Sequence, residues 1–420
     1  MRILLLSQWF DPEPAFKGLI FAKELEKSGN KVEVITGFPN YPGGKIYSKY
    51  RIKFLQSEVI DGISIKRVPL YPSHNSSSVG RIFNYLSFAF SSLVYGVFSI
   101  RNIDVIYVYN PPMTAAISAV LIGIFRRIPV VVDINDLWPD TLAATGMIKN
   151  KFILSMVAKI CLWVYQKSSH IVVGTPGFRK KLIDRGISGQ KIDVIYNWCD
   201  EDAICFPTEL NLNEFGLEGR FNIVFAGTMG KAQALDSVLR AAKIIEKKNK
   251  IIQFVFVGSG IEVDNLKKIC QELQIKNVIF IPRLPFSEVG KVLSAADVLL
   301  VHLKNDALFE ITLPAKIQAY LKVGKPIIMG VKGDAASIIS KSNSGYCAIP
   351  EDEESIANAV NKMFELPPDE LKLMGIRGLE YYNNNFSLKI GAEKFIKVFN
   401  HVVVKKNLSL IHISEPTRPY

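Results

Sequence analysis

The chain has 420 residues, 49% of them apolar, and a net charge of +12. That length exceeds what one hydrophobic core serves and that composition excludes disorder, so two domains are expected. Five scattered cysteines without a C-x-x-C pair argue against a disulfide framework or a zinc site and fit a reducing compartment.

Met1-Arg-Ile-Leu-Leu-Leu6 begins like a signal peptide, but the apolar run stops at Ser7 with no cleavage pattern behind it. It reads as a first buried strand, Ile3 to Leu6. A helix over Leu19 to Ser28 follows, and then strands Val32 to Ile35, Val105 to Val108, Val130 to Ile134, Ile171 to Val173 and Val194 to Tyr196. The pattern halts near Asn197-Trp-Cys-Asp-Glu201, and acidic, proline-containing sequence runs to Glu218.

It restarts with strand Ile223 to Ala226, helix Ala234 to Lys247, strand Gln253 to Val257, helix Asp264 to Leu273, strand Val278 to Ile281, helix Ser287 to Ala295 and strand Val298 to Val301. Helix Ala335 to Ser340, strand Tyr346 to Ile349, helix Glu354 to Glu365 and an amphipathic stretch Leu388 to Val404 complete it. Strands alternating with helices predict an α/β fold of two doubly wound, Rossmann-like domains facing across a cleft. The expected division is 1–200, 201–386 and a terminal helix over 387–407. Residues 408–420 resemble translated read-through of a sequencing-library adapter and are set aside as a non-native tail, His412 with them.

Between the strand Val298 to Val301 and the apolar Ile327-Ile-Met329 lies Leu308-Phe-Glu-Ile-Thr-Leu-Pro-Ala-Lys-Ile-Gln-Ala-Tyr-Leu-Lys-Val-Gly-Lys-Pro326. Thr312 and Pro314 suit a helix start, Ala315 to Lys322 the helix, Gly324 its left-handed stop and Pro326 the entry to a buried strand. A helix N-terminus leaving a sheet presents unpaired N–H groups and partial positive charge, and Lys316 adds a full charge, so the segment suits a diphosphate. A dinucleotide is disfavoured. Ser7 to Pro14, after the first strand, lacks the G-x-G-x-x-G that admits a pyrophosphate, and Gly258-Ser-Gly260 is too short a match.

The charge is unevenly placed: residues 1–200 hold 24 Lys/Arg against 14 Asp/Glu, residues 201–420 hold 27 against 25. Nucleic acid is not expected, because no binding motif accompanies the basic residues. Ile82 to Ile100 carries no charge and six Phe/Tyr between Arg81 and Arg101. Its serines and Asn84 make it too polar for a typical span, and it reads as a core helix with one membrane-facing edge.

In order and spacing, Lys17-Gly18 with Gly29-Asn-Lys-Val-Glu-Val-Ile-Thr36, Val194-Ile-Tyr-Asn-Trp-Cys-Asp200, Phe225-Ala-Gly-Thr-Met-Gly230, Ala295-Ala-Asp-Val-Leu-Leu-Val-His302 and Pro314-Ala-Lys316 with Gly324-Lys-Pro326 resemble the GT-B glycosyltransferases, in particular retaining group 4. Gln8-Trp-Phe-Asp-Pro-Glu13, Phe38-Pro-Asn-Tyr-Pro-Gly-Gly44, Asp136-Leu-Trp-Pro-Asp140 and Gly230-Lys-Ala-Gln-Ala-Leu235 look like bacterial O-antigen and capsule N-acetyl-L-fucosaminyltransferases.

The resemblance implies a hexosyl transferase taking a UDP-sugar, needing no metal or other cofactor, and acting on a polyprenyl-linked acceptor at the cytoplasmic face of the plasma membrane. An anionic membrane surface is then a partner of the N-terminal domain. Charge builds on the β-phosphate as the nucleotide leaves, so Lys316 and Lys231 are the expected cations, Gly227 and Gly230 give backbone approach, and Gln233 offers an amide. Gly258 and Arg283 are expected at base and ribose, with Pro314, Lys17 and Gly18 as further donor contacts.

Asp136 and Asp133 are expected to face the sugar as catalytic carboxylates, with Glu310 as a sugar contact. The family's glutamate pair falls on Ile311 and Ala319, neither a carboxylate, and Gln318 and Glu310 each lie one position off. A nucleotide-sugar epimerase and a non-catalytic nucleotide-sugar-binding subunit are the alternatives.

Overall fold

The structure, a computed structural model, describes residues 1–73, 78–144, 147–204 and 215–414. The chain divides into two compact units: Met1–Gly174, Phe178–Ile195 and the residues from Ala392 on form one, and Thr175–Gly177 with Tyr196–Gly391 form the other.

Unit 1 opens with β1 (Arg2–Leu6), α1 (Leu19–Lys27) and β2 (Lys31–Gly37), then β3 (Gln56–Ile60) and β4 (Ile63–Val68). The long α2 (Ser78–Ser99) leads to β5 (Val105–Asn110), α3 (Met113–Arg126) and β6 (Val130–Ile134). After it come α4 (Asp140–Ala144), α5 (Lys151–Lys167), β7 (His170–Val173), α6 (Pro176–Asp184) and β8 (Ile192–Val194). The sheet order is β3-β4-β2-β1-β5-β6-β7-β8, parallel except for β3. Every residue of β6 is buried, as expected of a strand covered on both faces.

The β3–β4 hairpin has no counterpart in the elements read from the sequence, although its signal is present: Asp61-Gly62, both at positive φ, joins two alternating runs.

Unit 2 begins with the short α7 (Glu201–Ile204), then β9 (Phe221–Ala226), α8 (Leu235–Lys248), β10 (Ile252–Val257), α9 (Val263–Glu272), β11 (Val278–Ile281), α10 (Phe286–Ala295) and β12 (Val298–His302). It closes with α11 (Ala307–Glu310), α12 (Lys316–Val323), β13 (Ile327–Gly330), α13 (Asp334–Ser342), β14 (Gly345–Cys347), α14 (Glu353–Phe364) and α15 (Pro368–Asn385). Its sheet, β11-β10-β9-β12-β13-β14, is parallel throughout. Alternate residues feed two cores: Ile223, Phe225, Phe254 and Phe256 on one face, Val224, Ala226, Val255 and Val257 on the other.

The last helix, α16 (Leu388–Ser414), was expected over 387–407 as a separate element. Its residues from Ala392 on belong to unit 1, where the Phe395 ring meets Phe21 at 5.2 Å and Tyr107 at 5.4 Å. The helix continues into the segment set aside as a tail, whose residues 415–420 lie outside the described ones.

Candidate donor and sugar site

In unit 2 the chain leaves β9 for β10 on one side and returns to β12 on the other, so the connections at the C-terminal ends of β9 and β12 diverge. Ligands of open α/β sheets bind at such a switch point. Three pieces of backbone meet there: the turn after β9, the turn after β10, and the N-terminus of α12.

The first two turns are laminated. Gly227 N–H donates to the Val257 carbonyl (2.9 Å), Met229 N–H to that of Ser259 (2.9 Å), and Glu262 N–H to that of Met229 (3.1 Å). A Cβ at Gly258 would sit 2.1 Å from the Gly227 carbonyl oxygen, and one at Gly260 would sit 2.1 Å from that of Met229. Gly227 and Gly258 also hold φ of +136° and +139°. Glycine is required at Gly258 by space and by backbone conformation, at Gly260 by space and at Gly227 by backbone conformation.

Lys316 is the first residue of α12, placed by the turn in which Ile317 N–H donates to the Pro314 carbonyl (3.0 Å). Its Nζ lies 3.4 Å from the centroid of the Phe225 ring and makes no hydrogen bond among the described residues. A Cβ on Gly227 would be 3.4 Å from that nitrogen, so the ammonium is aimed at the glycine turn. Burial lowers its pKa to about 7. An unpaired cation inside a protein is unfavourable, and beside a helix N-terminus an anion relieves both the ammonium and the free N–H groups. One turn on, the Tyr320 hydroxyl accepts from Ala226 N–H (2.8 Å) and fixes the end of β9. Gly324 ends the helix at φ +73°, as its sequence predicts.

The Gly230–Gln233 turn closes on itself, with Gly230 N–H donating to Gln233 Oε1 (2.9 Å), and Lys231 is exposed at its head. His302, at the end of β12, carries this turn: its Nδ1 is 2.7 Å from the Gln233 carbonyl oxygen, and its Nε2 accepts from Glu351 N–H (3.1 Å). That pairing makes the ring neutral with the proton on Nδ1, and burial lowers its pKa. Sequence reasoning gave His302 no role; the signal was a lone histidine closing an apolar strand. Arg283 is exposed just past β11, whose Ile281 carbonyl accepts from Gly258 N–H (3.0 Å).

Glu310 is exposed at the end of α11, and its carbonyl oxygen would be 2.0 Å from a Cβ on Gly333. Gln318 is buried with its amide nitrogen oriented toward the carbonyl oxygens of Ala315 (2.7 Å) and Pro314 (3.2 Å). It braces its own helix and does not stand in for the glutamate expected at Ala319.

Three expectations in unit 1 require correction. Asp133, expected as a catalytic carboxylate, is buried in β6, ion-paired with the fully buried Lys17 and accepting from the Tyr107 hydroxyl (2.6 Å). Lys17, expected at the donor, lies within unit 1 with its ammonium 4.7 Å from the Phe395 ring centroid. Gly18 serves the helix start: Asp11 Oδ2 accepts from Leu19 N–H (2.7 Å) where a Gly18 Cβ would meet it at 2.2 Å.

Asp136 lies beyond the strand end, half-buried, and burial raises its pKa. Trp9 gathers an aromatic cluster nearby, with ring centroids 5.2 Å from Tyr41 and 6.3 Å from Tyr85, and burial, with a smaller contribution from the Asp136 charge, raises the pKa of Tyr85. Trp9 Nε1 and both amide atoms of Asn110 are buried without hydrogen-bond partners among the described residues. Aromatic faces beside polar atoms suit a sugar.

Residues 21–198 match the family described as a glycosyl transferase 4-like domain, and residues 209–377 match glycosyl transferases group 1. The chain is similar to a probable glycosyltransferase, WbjE, of Pseudomonas aeruginosa, 26% identical over 62% of this chain and 66% of that one. It is also similar to a putative colanic acid biosynthesis glycosyl transferase, WcaI, of Escherichia coli K12, 24% identical over 87% of this chain and 93% of that one. Among solved structures, Anabaena HepE in complex with UDP and glucose superposes with a TM-score of 0.68 at 14% identity, covering 96% of this chain and 100% of that one. A trehalose 6-phosphate synthase of Burkholderia multivorans superposes with a TM-score of 0.71 at 11% identity, covering 100% and 99%. With its two Rossmann-like parallel sheets, the chain is a GT-B glycosyltransferase that joins a glycosyl transferase 4-like domain to a group 1 domain.

Proposed function

We propose that the chain transfers an N-acetylated 6-deoxyhexosamine, L-FucNAc, from UDP to an undecaprenyl-diphosphate-linked sugar with retention, in repeat-unit assembly of a surface polysaccharide on the cytoplasmic face of the membrane. The observation that carries it is the buried, unpartnered Lys316 ammonium aimed at the Gly227 turn. A nucleoside diphosphate seated there receives N–H groups from the start of α12, since the turn after β9 already engages those of Gly227, Met229 and Gly230. As the glycosidic bond to the β-phosphate breaks, charge grows on the phosphate beside Lys316, which therefore holds the transition state more tightly than the bound donor.

Asp136 orients a sugar hydroxyl, and the departing phosphate oxygen takes the acceptor proton. Lys231 and Gln233 extend the diphosphate contacts, and Arg283 reaches the nucleoside. HepE, solved with UDP and glucose, supports the donor class, and WcaI, by its name a colanic acid enzyme, supports the polysaccharide setting. The sugar rests on the resemblance in Phe38 to Gly44 and Asp136 to Asp140.

The test is UDP release from a panel of UDP-amino sugars with polyprenyl-linked acceptors, run with Lys316→Ala beside the native chain. Acceptor-dependent release with UDP-L-FucNAc, lost in the variant, is the expected result. Conversion of the donor without acceptor would identify an epimerase instead. The absence of carboxylates at Ile311 and Ala319, together with the inward amide of Gln318, favours a second reading, a subunit that binds a nucleotide sugar without turning it over. UDP binding without release from any donor would select that one.

A further inference from the structure

Helix α2 is built inside out. Its buried side carries Asn84, Phe88 and Ser92, and Gly96, where a Cβ would meet Ile122 of α3 at 2.3 Å; the Ser92 hydroxyl lies 2.8 Å from that of Ser118 on α3. Its outward side carries Val79, Ile82, Phe83, Leu86 and Phe90, a stripe at helical spacing in which Phe83 is 59% and Phe90 70% exposed. The helix is apolar and long enough to cross a membrane, yet only 22% of its most apolar window is buried. A helix of a water-soluble surface has the reverse polarity, and an exposed stripe of this kind marks an interaction site.

Neighbouring helices continue it. The connections from β4 through β7 all run the same way across the sheet, so α2, α3 and α5 share one face, and α2 packs on α3 and α3 on α5. On α5, Phe152 is 73% exposed, with Ile153, Met156 and Ile160 exposed behind it.

Charge identifies the occupant. Residues 69–132 carry Arg81, Arg101, Arg126 and Arg127 against one acidic residue, Asp104, and residues 141–167 carry Lys149, Lys151, Lys159 and Lys167 against none. Apolar helix faces in segments that carry eight cations against one anion fit an anionic bilayer surface, with phosphates on the cations and the apolar stripe at the acyl boundary. A span is disfavoured, because β4 and β5 at the two ends of α2 lie in one sheet and its inner side is packed on α3.

We propose that the outer face of α2, with the first turns of α5, docks unit 1 flat on an anionic membrane, α2 lying in the plane of the interface. The surface owes its purpose to the membrane-linked acceptor proposed above. Its test is kept separate by using vesicles that contain no glycolipid.

The full chain is sedimented with vesicles of phosphatidylglycerol and phosphatidylethanolamine, and with neutral phosphatidylcholine vesicles. Binding to the anionic vesicles, weakened by salt, is expected, with affinity at least tenfold lower in the double variant Phe83→Ser, Phe90→Ser. A second variant, Lys149→Gln with Lys151→Gln, is expected to lose several-fold. UDP affinity and the melting temperature of both variants should match the native chain, since all four side chains are exposed. No binding to anionic vesicles, or equal binding by the Phe variant, overturns the proposal. So does a native dimer that the Phe variant dissociates, which would make a second copy the occupant, or a native chain that leaves cell membranes only with detergent, which would make α2 a span.

Discussion

The Lys316 ammonium stands 3.4 Å from the centroid of the Phe225 ring, and no acceptor among the described residues reaches it. Burial brings its pKa from 10.5 to about 7. Between those values the unfolded chain holds a proton that the folded chain lacks, so stability rises with pH across that window and the penalty is full below it. Lys316→Met is expected to abolish the rise and to stabilise the fold at neutral pH by on the order of a few kcal/mol. Denaturant titrations at about pH 6 and about pH 9 check this.

A diphosphate beside Lys316 favours the charged amine, so UDP binding at mildly alkaline pH should take up close to one proton. Calorimetry in two buffers of different ionisation enthalpy measures it. Uptake that persists in Lys316→Met would place the titrating group elsewhere.

Gly258→Ala is expected to destabilise the second domain by more than about 2 kcal/mol, because the new Cβ meets backbone that cannot yield. Gly227→Ala meets only the flexible end of Lys316, at 3.4 Å. It should lose about 1–2 kcal/mol to its positive φ and weaken UDP binding more than stability. Comparing melting curves and UDP affinity for the two variants separates a scaffold glycine from one that faces the ligand.

Lys17→Met leaves Asp133 buried without its partner and should destabilise by about 3–5 kcal/mol. Its KM for donor, measured well below the melting temperature, is expected to stay within about twofold of the native chain, since a KM near the native value means that uniform donor binding is intact. A selective rise in donor KM would restore Lys17 to the donor site.

Glu13 accepts from the N–H groups of Asn40 and Tyr41, each at 2.7 Å, and burial raises its pKa from 4.5 to about 7. Between those values the folded chain holds the extra proton, so this group's contribution falls as pH rises through the window. Glu13→Gln keeps an oxygen acceptor for both N–H groups and should flatten the decline, seen as a higher melting temperature than native near pH 8 and little difference near pH 5.

The phosphate-side architecture was legible because its residues have few conformational options: a left-handed Gly324, a proline before a helix, glycines where strands turn. Carboxylates were misread for lack of depth information. Asp133 and Asp136 are three apart, yet the first lies inside β6 and pairs with Lys17 while the second has passed the strand end. Lys17-Gly18 was expected at the donor because the sequence does not show their true partners, Asp133 for the lysine and, seven residues upstream of the glycine, the capping carboxylate of Asp11. An apolar outward edge on α2 was expected, but which of its residues form that edge was hidden for a related reason. Composition records that a helix is apolar, and only packing against α3 reveals which side is not covered.

The seam between Gly227–Met229 and Gly258–Gly260 carries backbone against backbone, and the side chains exposed along it are Thr228 and Ser259. For a donor seated as proposed above, selectivity is expected from those two side chains and from the margins, the exposed Lys231 and Arg283 and the turn that His302 suspends. Attempts to redirect this chain to another sugar nucleotide should vary those positions and leave the glycines of the seam untouched.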